Sequence, residues 1–564
     1  MTALTGTWTL ARAWIRRDRI RLSVWALILP LLNLAFVRAF EAIAADEGGA
    51  AARAALIATS SGTVFAGPGY GLDHYDLGPM LTNELLIYYE IALAVGAILL
   101  VARGTRAEEE QGRAELVCAA AVGRHAPLAA AIGVVTALCM AAGVGLGLSY
   151  LPAGLPAPDA MASGLGVGVT GVVFAAITAL TAQLARSARG AAGAAVAVMG
   201  AAFCLRAAGD VQRLHGSALS WCSPLAWPVQ TRAFTDLRWW PLAVSAGAAV
   251  VIGTAAAGAA RRREHGAGLI PNAPGRLAAS RALNGPVGLA WRLSRGSWAA
   301  WAVGGGFAAA AIGPMTGGLD AYLRDNPAIA RAISVDPTAA GPELRDAFVA
   351  MFIAMLAVLA VWFTCGTVAR LQWSETSGLA EQVLAAPVSR TRWLVSTWIV
   401  GVLGGLGVLG VTGVWLGATV PRGAGEPVTW TMASHLSAAA SYTPAVVATA
   451  GLAAALYAIV PSAAVLNWVV LAGGFTMALY GHALGLPAWA PRLAPISAIP
   501  PPLGAAWDVP ATAWVTTAGI ALTAAALIAI VRRDIPAREG RTPALAPVGG
   551  AEARSALTVT SSAR

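Results

Sequence analysis

The sequence has 564 residues, of which 57% are hydrophobic and 12% are charged, with a formal net charge of +10. A soluble domain carries about 25% charged residues, so this chain cannot cover a water-facing surface with charge and is excluded from that class. Apolar runs of about 20 residues recur from end to end, each long enough to cross a bilayer, and they predict an all-α polytopic membrane protein.

The chain begins with a basic, amphipathic segment at 8–20. Its aromatic and aliphatic residues, including Trp14, can share one helical face, while Arg16 and Arg19 lie on the remainder. That pattern favours an interfacial helix with Trp among the lipid headgroups and Arg toward the phosphates; an ordinary basic tail is the alternative. The segment has no small-residue cleavage site, so the span that follows at 21–40 is expected to be retained.

Twelve membrane spans are predicted, six in each of two blocks. Most arginines fall on the side that also holds the N-terminal segment and the tail. Because positively charged loops stay inside, both termini are predicted to be cytoplasmic, and the net charge indicates topology rather than nucleic-acid binding. The spans are about 21–40, 85–102, 127–149, 162–184, 191–207, 240–260, 298–317, 347–369, 393–419, 437–460, 463–480 and 511–531.

The loop after the second span carries a motif that returns after the eighth span, 266 positions later. The motif is Glu-x-x-Gly-x-x-Glu followed by an arginine: Glu109, Gly112, Glu115 and Arg124 in the first loop, and Glu375, Gly378, Glu381 and Arg390 in the second. The interfacial segment also has a counterpart, in which Arg292 and Arg295 match Arg16 and Arg19. Such repetition predicts two homologous six-helix halves in parallel orientation.

This repetition defines the expected domains. We expect a first half at 1–260, a cytoplasmic linker at 261–296, a second half at 297–533 and a disordered tail at 534–564. Early acids and late apolar residues in the repeated loops suit a short helix at the membrane face, because the helix dipole favours acids near the N-terminus. The functional interpretation is a docking site for a motor protein, and a solvated loop with tolerated charges is the alternative.

All 38 basic residues are arginine, because the sequence contains no lysine. A P-loop needs its lysine to reach the β- and γ-phosphates, so the chain cannot hold that ATP site. Any ATP and Mg²⁺ are therefore expected on a separate subunit. The five cysteines form no Cys-x-x-Cys pair, and no metal-spaced Cys/His cluster is evident, so no cofactor is expected on this chain.

Glu90 is the one carboxylate that falls well inside a predicted span. An acid in a membrane is a functional candidate because leaving it unpaired in lipid is costly. Glu90 is therefore either a substrate contact or a structural acid, hydrogen-bonded near the outer interface beside Tyr88 or Tyr89. The loop at 41–84, with acids flanking a histidine at 73–76, is expected to cap the pore rather than to bind a metal.

The topology, the Glu-Glu-Glu-x-Gly-Arg-x-Glu run at 108–115 and the Ala-Ala-Pro-Val-Ser-Arg run at 385–390 resemble the permease subunit of a type-2 ABC exporter. The closest resemblance is to the fused, actinobacterial-type polyketide-antibiotic or multidrug exporter permease. The first half departs from this pattern at one position, because it has Ala121 where the second half has Pro387. The resemblance implies that the loops at 108–124 and 374–390 are coupling helices for two copies of an ABC ATPase. It also implies export of a hydrophobic or amphipathic compound across the bacterial inner membrane.

Two other functions share some of these features. A proton-driven secondary transporter of the twelve-span facilitator type would need more buried acids than Glu90, and a basic, Gly-rich loop where this chain has the acidic run at 108–115. A membrane-embedded enzyme of lipid or cell-wall metabolism would need a convergent polar site, and the sequence shows none clearly. We therefore expect a transporter subunit rather than an enzyme.

Overall fold

The structure is a computed structural model. It describes residues 2–45, 47–264, 266–270, 279–283, 285–316, 342–420, 431–463, 466–480, 495–496, 498–499 and 508–533. The regular secondary structure of these residues is entirely helical, which confirms the all-α prediction. The chain divides into two compact units, the first mainly Met1–Leu277 and the second mainly Ala278–Ala309, Val349–Ala418 and Val428 onward. The predicted tail at 534–564 lies outside the described residues.

The described residues of the first unit form eleven α-helices, of which α5, α6 and α10 are short. Their bounds are α1 Thr7–Ala44, α2 Glu47–Ala58, α3 Ser60–Ala66, α4 Leu77–Gly104, α5 Arg106–Glu110, α6 Arg113–Cys118, α7 Ala126–Ser149, α8 Ala157–Leu184, α9 Ala188–Gln212, α10 Ala218–Trp221 and α11 Trp240–Arg262.

Eight α-helices are described in the second unit. Their bounds are α12 Pro286–Ile312, α13 Pro342–Thr376, α14 Leu379–Leu384, α15 Arg390–Thr419, α16 Met432–Ala440, α17 Thr443–Ile459, α18 Leu466–Tyr480 and α19 Val509–Arg532.

Ten helical stretches of the described chain are long and apolar enough to cross a membrane. Six are in the first unit (α1, α4, α7, α8, α9 and α11), and four are in the second (α13, α15, α16 with α17, and α19). The predicted seventh and eleventh spans fall on α12 and α18, which are not among the ten. Only 15 residues of α18 are described, fewer than the roughly 20 that a span needs. The count of twelve stays a prediction, and the chain is a multi-pass membrane protein.

The second predicted span begins earlier than expected. Helix α4 starts at Leu77 rather than near residue 85, and Pro79 lies in its first turn, where the missing amide hydrogen of proline costs nothing. The preceding segment is also shorter than the predicted pore-capping loop at 41–84, because α1 ends at Ala44 and α4 begins at Leu77, and it contains α2 and α3. Charged residues near Glu84 obscured this helix start, since their low hydropathy resembles that of a loop.

Close helix packing in each unit depends on glycine. In the first unit, a Cβ atom on Gly143 of α7 would lie 2.6 Å from the carbonyl oxygen of Gly164 on α8. In the second, a Cβ atom on Gly451 of α17 would lie 2.4 Å from the carbonyl oxygen of Gly519 on α19. No side chain fits at these distances, so the two backbones can touch only because glycine is present.

Candidate functional site

Both predicted docking loops fold into the same local structure. In the first, Gly112 separates α5 from α6 with a φ of +69°, and in the second Gly378 separates α13 from α14 with a φ of +78°. An L side chain rarely adopts this backbone conformation, so glycine suits both breaks. The Gly112 N–H donates to the Glu109 carbonyl at 3.0 Å, and the Gly378 N–H donates to the Glu375 carbonyl at the same distance.

The first loop is anchored to the end of α11 by an ion pair. The Arg263 guanidinium donates to both carboxylate oxygens of Glu109, at 2.5 and 2.8 Å. The buried Arg106 guanidinium also donates to Glu109 at 2.7 Å, and it donates to the Ala182 carbonyl at the end of α8. Arg124 completes the anchor, because its guanidinium donates to the Arg261 carbonyl at 3.0 Å. Paired, charge-assisted bonds of this kind fix geometry as well as adding energy.

The second loop is anchored in the same way. The Arg533 guanidinium, directly after α19, donates to Glu375, and the Tyr457 hydroxyl donates to the other carboxylate oxygen at 2.8 Å. Arg390, the counterpart of Arg124, donates to the carbonyl of Arg533. Each unit therefore joins its loop to the residue that follows its last helix.

This geometry divides the eight predicted docking residues by position. Four charged side chains form hydrogen bonds within their own unit and anchor the loops: Glu109, Arg124, Glu375 and Arg390. Motif spacing alone did not reveal this anchoring. The two glycines form the breaks. The other two acids, Glu115 and Glu381, are each exposed in the first turn of their short helix.

An apolar side chain is exposed beside each outward glutamate. Leu116 is 77% exposed next to Glu115, and Leu379 is 41% exposed two residues before Glu381. Each short helix thus presents a carboxylate and an aliphatic group to the surroundings. An exposed acid with a neighbouring leucine is a suitable contact for a basic groove that has an apolar floor.

The N-terminal helix breaks where the sequence suggested a division between an interfacial segment and a span. Asp18 leaves helical geometry, with φ −106° and ψ 19°, and its carboxylate is buried. It accepts hydrogen bonds from Trp14 at 2.9 Å, Arg21 at 2.7 Å, Arg17 at 3.2 Å and Arg103 at 3.3 Å. Sequence analysis missed this cluster, although a single acid among several arginines was its available signal.

The predicted interfacial arginines lie outside that cluster. Arg16 and Arg19 are exposed, as are their counterparts Arg292 and Arg295 on α12. Trp14, by contrast, is buried, and its ring packs against Gly104, where a Cβ atom would lie 2.7 Å from the indole. Trp14 therefore contacts protein rather than solvent, whereas the arginines face outward.

Glu90 lies at the middle of α4, further from either helix end than its expected place near the outer interface. The side chain is 0% exposed, and among the described residues neither carboxylate oxygen has a hydrogen-bond partner. Arg206 is the charged residue that acts on it electrostatically. The nearby Tyr89 hydroxyl donates to Asn33 instead, at 3.0 Å, so the expected tyrosine hydrogen bond to Glu90 is wrong. Leu356 occupies the matching position in the second half, 266 positions later, and is 4% exposed.

A second buried charge cluster lies on α9 and was missed by sequence analysis. The Arg206 guanidinium donates to Asp210 at 3.1 Å, and both side chains are 0% exposed. Asp210 also accepts from the Ser220 hydroxyl at 2.7 Å, while Arg206 donates to the Val64 carbonyl. The signal was an arginine and an aspartate four residues apart in an apolar stretch, because such residues lie on one face of a helix. The fifth span was predicted to end at residue 207, which separated them.

Within the described chain, no three His, Cys, Asp or Glu side chains are grouped closely enough to hold a metal ion. The segment at 73–76, which combines acids with one histidine, shows no such group either.

Comparisons with known proteins agree with this architecture. The family model of the C-terminal domain of the multidrug efflux system permease Rv1217c matches residues 283–530, from just before α12 to near the end of α19. The multidrug efflux system permease protein Rv1217c of Mycobacterium tuberculosis (strain ATCC 25618 / H37Rv) is 34% identical over 536 residues, covering 95% of this chain and 96% of its own length. Similarity at this level across nearly both whole chains shows that the chain belongs to the family of multidrug efflux system permeases, which are transporter subunits rather than enzymes.

Proposed function

We propose that the chain is the membrane-spanning permease of an ATP-driven ABC exporter in the bacterial cytoplasmic membrane, and that it extrudes hydrophobic or amphipathic, drug-like compounds. The relative Rv1217c is named as a component of a multidrug efflux system. The observation that carries the ATP-driven part is the pair of matching loops, each with a glycine break and an exposed glutamate. One docking surface per half fits a partner that is present in two copies.

The partner is an ABC ATPase that binds ATP and Mg²⁺, since this chain has no lysine with which to build a P-loop. Each ATPase copy receives one short helix at the cytoplasmic face, through Glu115 or Glu381 and the neighbouring leucine. We expect two ATPase copies for each permease chain, because both loops belong to one polypeptide.

The anchoring ion pairs supply a route for mechanical coupling. Movement of the first short helix reaches α11 through Glu109 and Arg263, and movement of the second reaches α19 through Glu375 and Arg533. ATP binding then changes the permease only because the closed ATPase dimer has a higher affinity for one arrangement of the two halves than for the other. The exposed arginines of the interfacial helices, Arg16 and Arg292 among them, bind lipid phosphates and hold the halves at the membrane surface.

Co-expression with an ABC ATPase encoded beside this chain tests the proposal. The permease carries an affinity tag, and the mass of the purified complex is measured. We expect one permease chain with two ATPase chains, which hydrolyse ATP faster in the complex than alone. Absence of any co-purified ATPase, together with transport activity in the isolated chain, would reject the proposal.

Glu90 is proposed to contact cationic cargo on the transport path, because its carboxylate is buried mid-helix with no hydrogen-bond partner among the described residues. In Glu90→Gln, we expect export of a cationic substrate to fall about tenfold, the effect of one lost interaction near 1.4 kcal/mol, while export of a neutral substrate is unchanged. Vesicle transport assays with one substrate of each kind measure this. Equal, wild-type rates for both substrates would remove Glu90 from the path.

A further inference from the structure

A cavity of about 730 Å³ lies beneath the docking loop of the first unit. The residues around it come from five regions: α1, the loop that holds α5 and α6, the start of α7, the end of α8 and the end of α11. Its volume is within the range of about 300–1,000 Å³ that small-molecule sites occupy. Leu10, Val117, Val122 and Leu128 give it an apolar wall, and charged side chains such as Arg113 line the remainder, so an amphipathic molecule fits it.

One polar group in this wall lacks a partner. Gln183 lines the cavity and is 3% exposed. Its amide nitrogen donates to the Ala179 carbonyl at 3.0 Å, which identifies the other amide atom as the acceptor oxygen. That oxygen has no hydrogen-bond partner among the described residues. A buried acceptor without a donor costs free energy, so a ligand that supplies an N–H or O–H here gains affinity.

The matching place in the second unit holds a pair of aromatic side chains. Pro127, which lines the cavity three residues after Arg124, corresponds to Trp393, three residues after Arg390. Trp393 is buried and meets the ring of Tyr457 edge-on, with 6.1 Å between the ring centroids. Tyr457 lies two residues before the end of α17, and Ala182 lies two residues before the end of α8. Small residues in the first unit therefore stand where the second unit has an aromatic pair.

We propose that this cavity is a binding site of the first half for an amphipathic small molecule carrying an N–H or O–H donor, with Gln183 as the acceptor that selects it. The inference rests on the proposed function, since it assigns the bound molecule to the class of exported compounds. The site is asymmetric: the first half receives cargo at the cytoplasmic face, beside the loop that docks the ATPase. A molecule bound in the cavity lies next to the Glu109–Arg263 ion pair, because both of these residues also line the cavity.

Two fluorescent dyes of equal charge make the test specific. Rhodamine 6G carries two N–H groups, whereas tetramethylrhodamine ethyl ester has fully alkylated nitrogens and none. Dye binding to the purified permease in lipid nanodiscs is measured by fluorescence anisotropy without any ATPase. We expect the wild-type chain to bind rhodamine 6G about fivefold more tightly, the effect of one net hydrogen bond.

In Gln183→Leu, which has similar volume but no acceptor, that preference should vanish while the second dye binds as before. Gln382→Leu, at an exposed position on α14, is the matched control and should keep the wild-type preference. Pro127→Trp copies the second unit and should weaken the binding of both dyes by filling the cavity. Equal binding of the two dyes to wild-type protein, or wild-type rhodamine 6G affinity in both cavity variants, would overturn the proposal.

These measurements separate the two proposals. If Gln183→Leu loses the dye preference, while the wild-type chain co-purifies no ATPase and transports alone, the site is supported and the ATP-driven function is rejected. If the ATPase co-purifies and Gln183→Leu keeps the dye preference, the ATP-driven function is supported and the binding site is rejected.

Discussion

Reversing the charge of both outward glutamates, in Glu115→Arg with Glu381→Arg, is expected to abolish co-purification of the ATPase while the permease still inserts and folds. Each reversal replaces attraction by like-charge repulsion at a docking surface, which costs several kcal/mol per site. Two such sites lower the affinity by about a thousandfold or more, because each 1.4 kcal/mol is a tenfold change. Both side chains are exposed, so the larger arginine side chains can be accommodated without disturbing the core.

The control for this experiment reverses two exposed acids far along the chain from either loop. Asp73→Arg with Asp76→Arg makes the same change of net charge in the segment before α4. We expect this variant to retain the ATPase fully. Normal recovery of the ATPase by the docking variant would contradict the assigned role of the two short helices.

Neutralising the two anchoring acids, in Glu109→Gln with Glu375→Gln, is expected to leave ATPase binding intact and to reduce export. Each carboxylate accepts charge-assisted hydrogen bonds from the arginine after the last helix of its unit. A hydrogen bond to a charged group contributes about 1.5–3 kcal/mol, so its loss weakens each link about tenfold or more. The short helices then move with the ATPase without drawing α11 and α19 with them.

The measurements are ATPase co-purification and ATP-dependent dye export in inverted vesicles. Glu110→Gln is the matched control: Glu110 is exposed, and it accepts from the Ala188 N–H at 2.9 Å, a bond that the glutamine carbonyl oxygen can also accept. We expect it to export normally. If the anchoring variant exports at the wild-type rate, the ion pairs are structural and the coupling route lies elsewhere.

Several features could be predicted from the sequence because they depend on local patterns. The apolar runs predicted ten helices that the structure describes as long and apolar enough to span a membrane. The repeated spacing around Gly112 and Gly378 predicted two loops of one kind, and the structure gives both a positive φ at the glycine. Periodicity and motif spacing contain this information without reference to distant contacts.

The partners of charged side chains could not be predicted in the same way. Glu109 pairs with Arg263, which is 154 positions away, and one sequence does not show which arginine approaches which acid. The spacing therefore favoured docking for Glu109 and Glu115 alike. In the structure Glu109 is anchored by Arg263, whereas Glu115 is exposed. The Asp18 cluster escaped notice for the same reason, because Arg103 reaches it from another helix.

Span boundaries were the other source of error. Ending the fifth span at residue 207 hid the Arg206–Asp210 pair, which the structure buries completely inside α9. Hydropathy treats a charged residue as the end of a membrane segment, yet a paired arginine and aspartate can continue one when further hydrogen bonds satisfy them. Here Arg206 donates to the Val64 carbonyl, and Asp210 accepts from the Ser220 hydroxyl.

Transport in proteoliposomes tests the central claim most directly, namely that this chain uses work done at the nucleotide site of another subunit. The purified permease is reconstituted alone and with its ATPase, and accumulation of rhodamine 6G is followed under an imposed pH gradient or with Mg-ATP. We predict no uphill transport by the permease alone under either condition, and ATP-dependent accumulation once the ATPase is present. Uphill transport by the permease alone, powered by the pH gradient, would contradict the account.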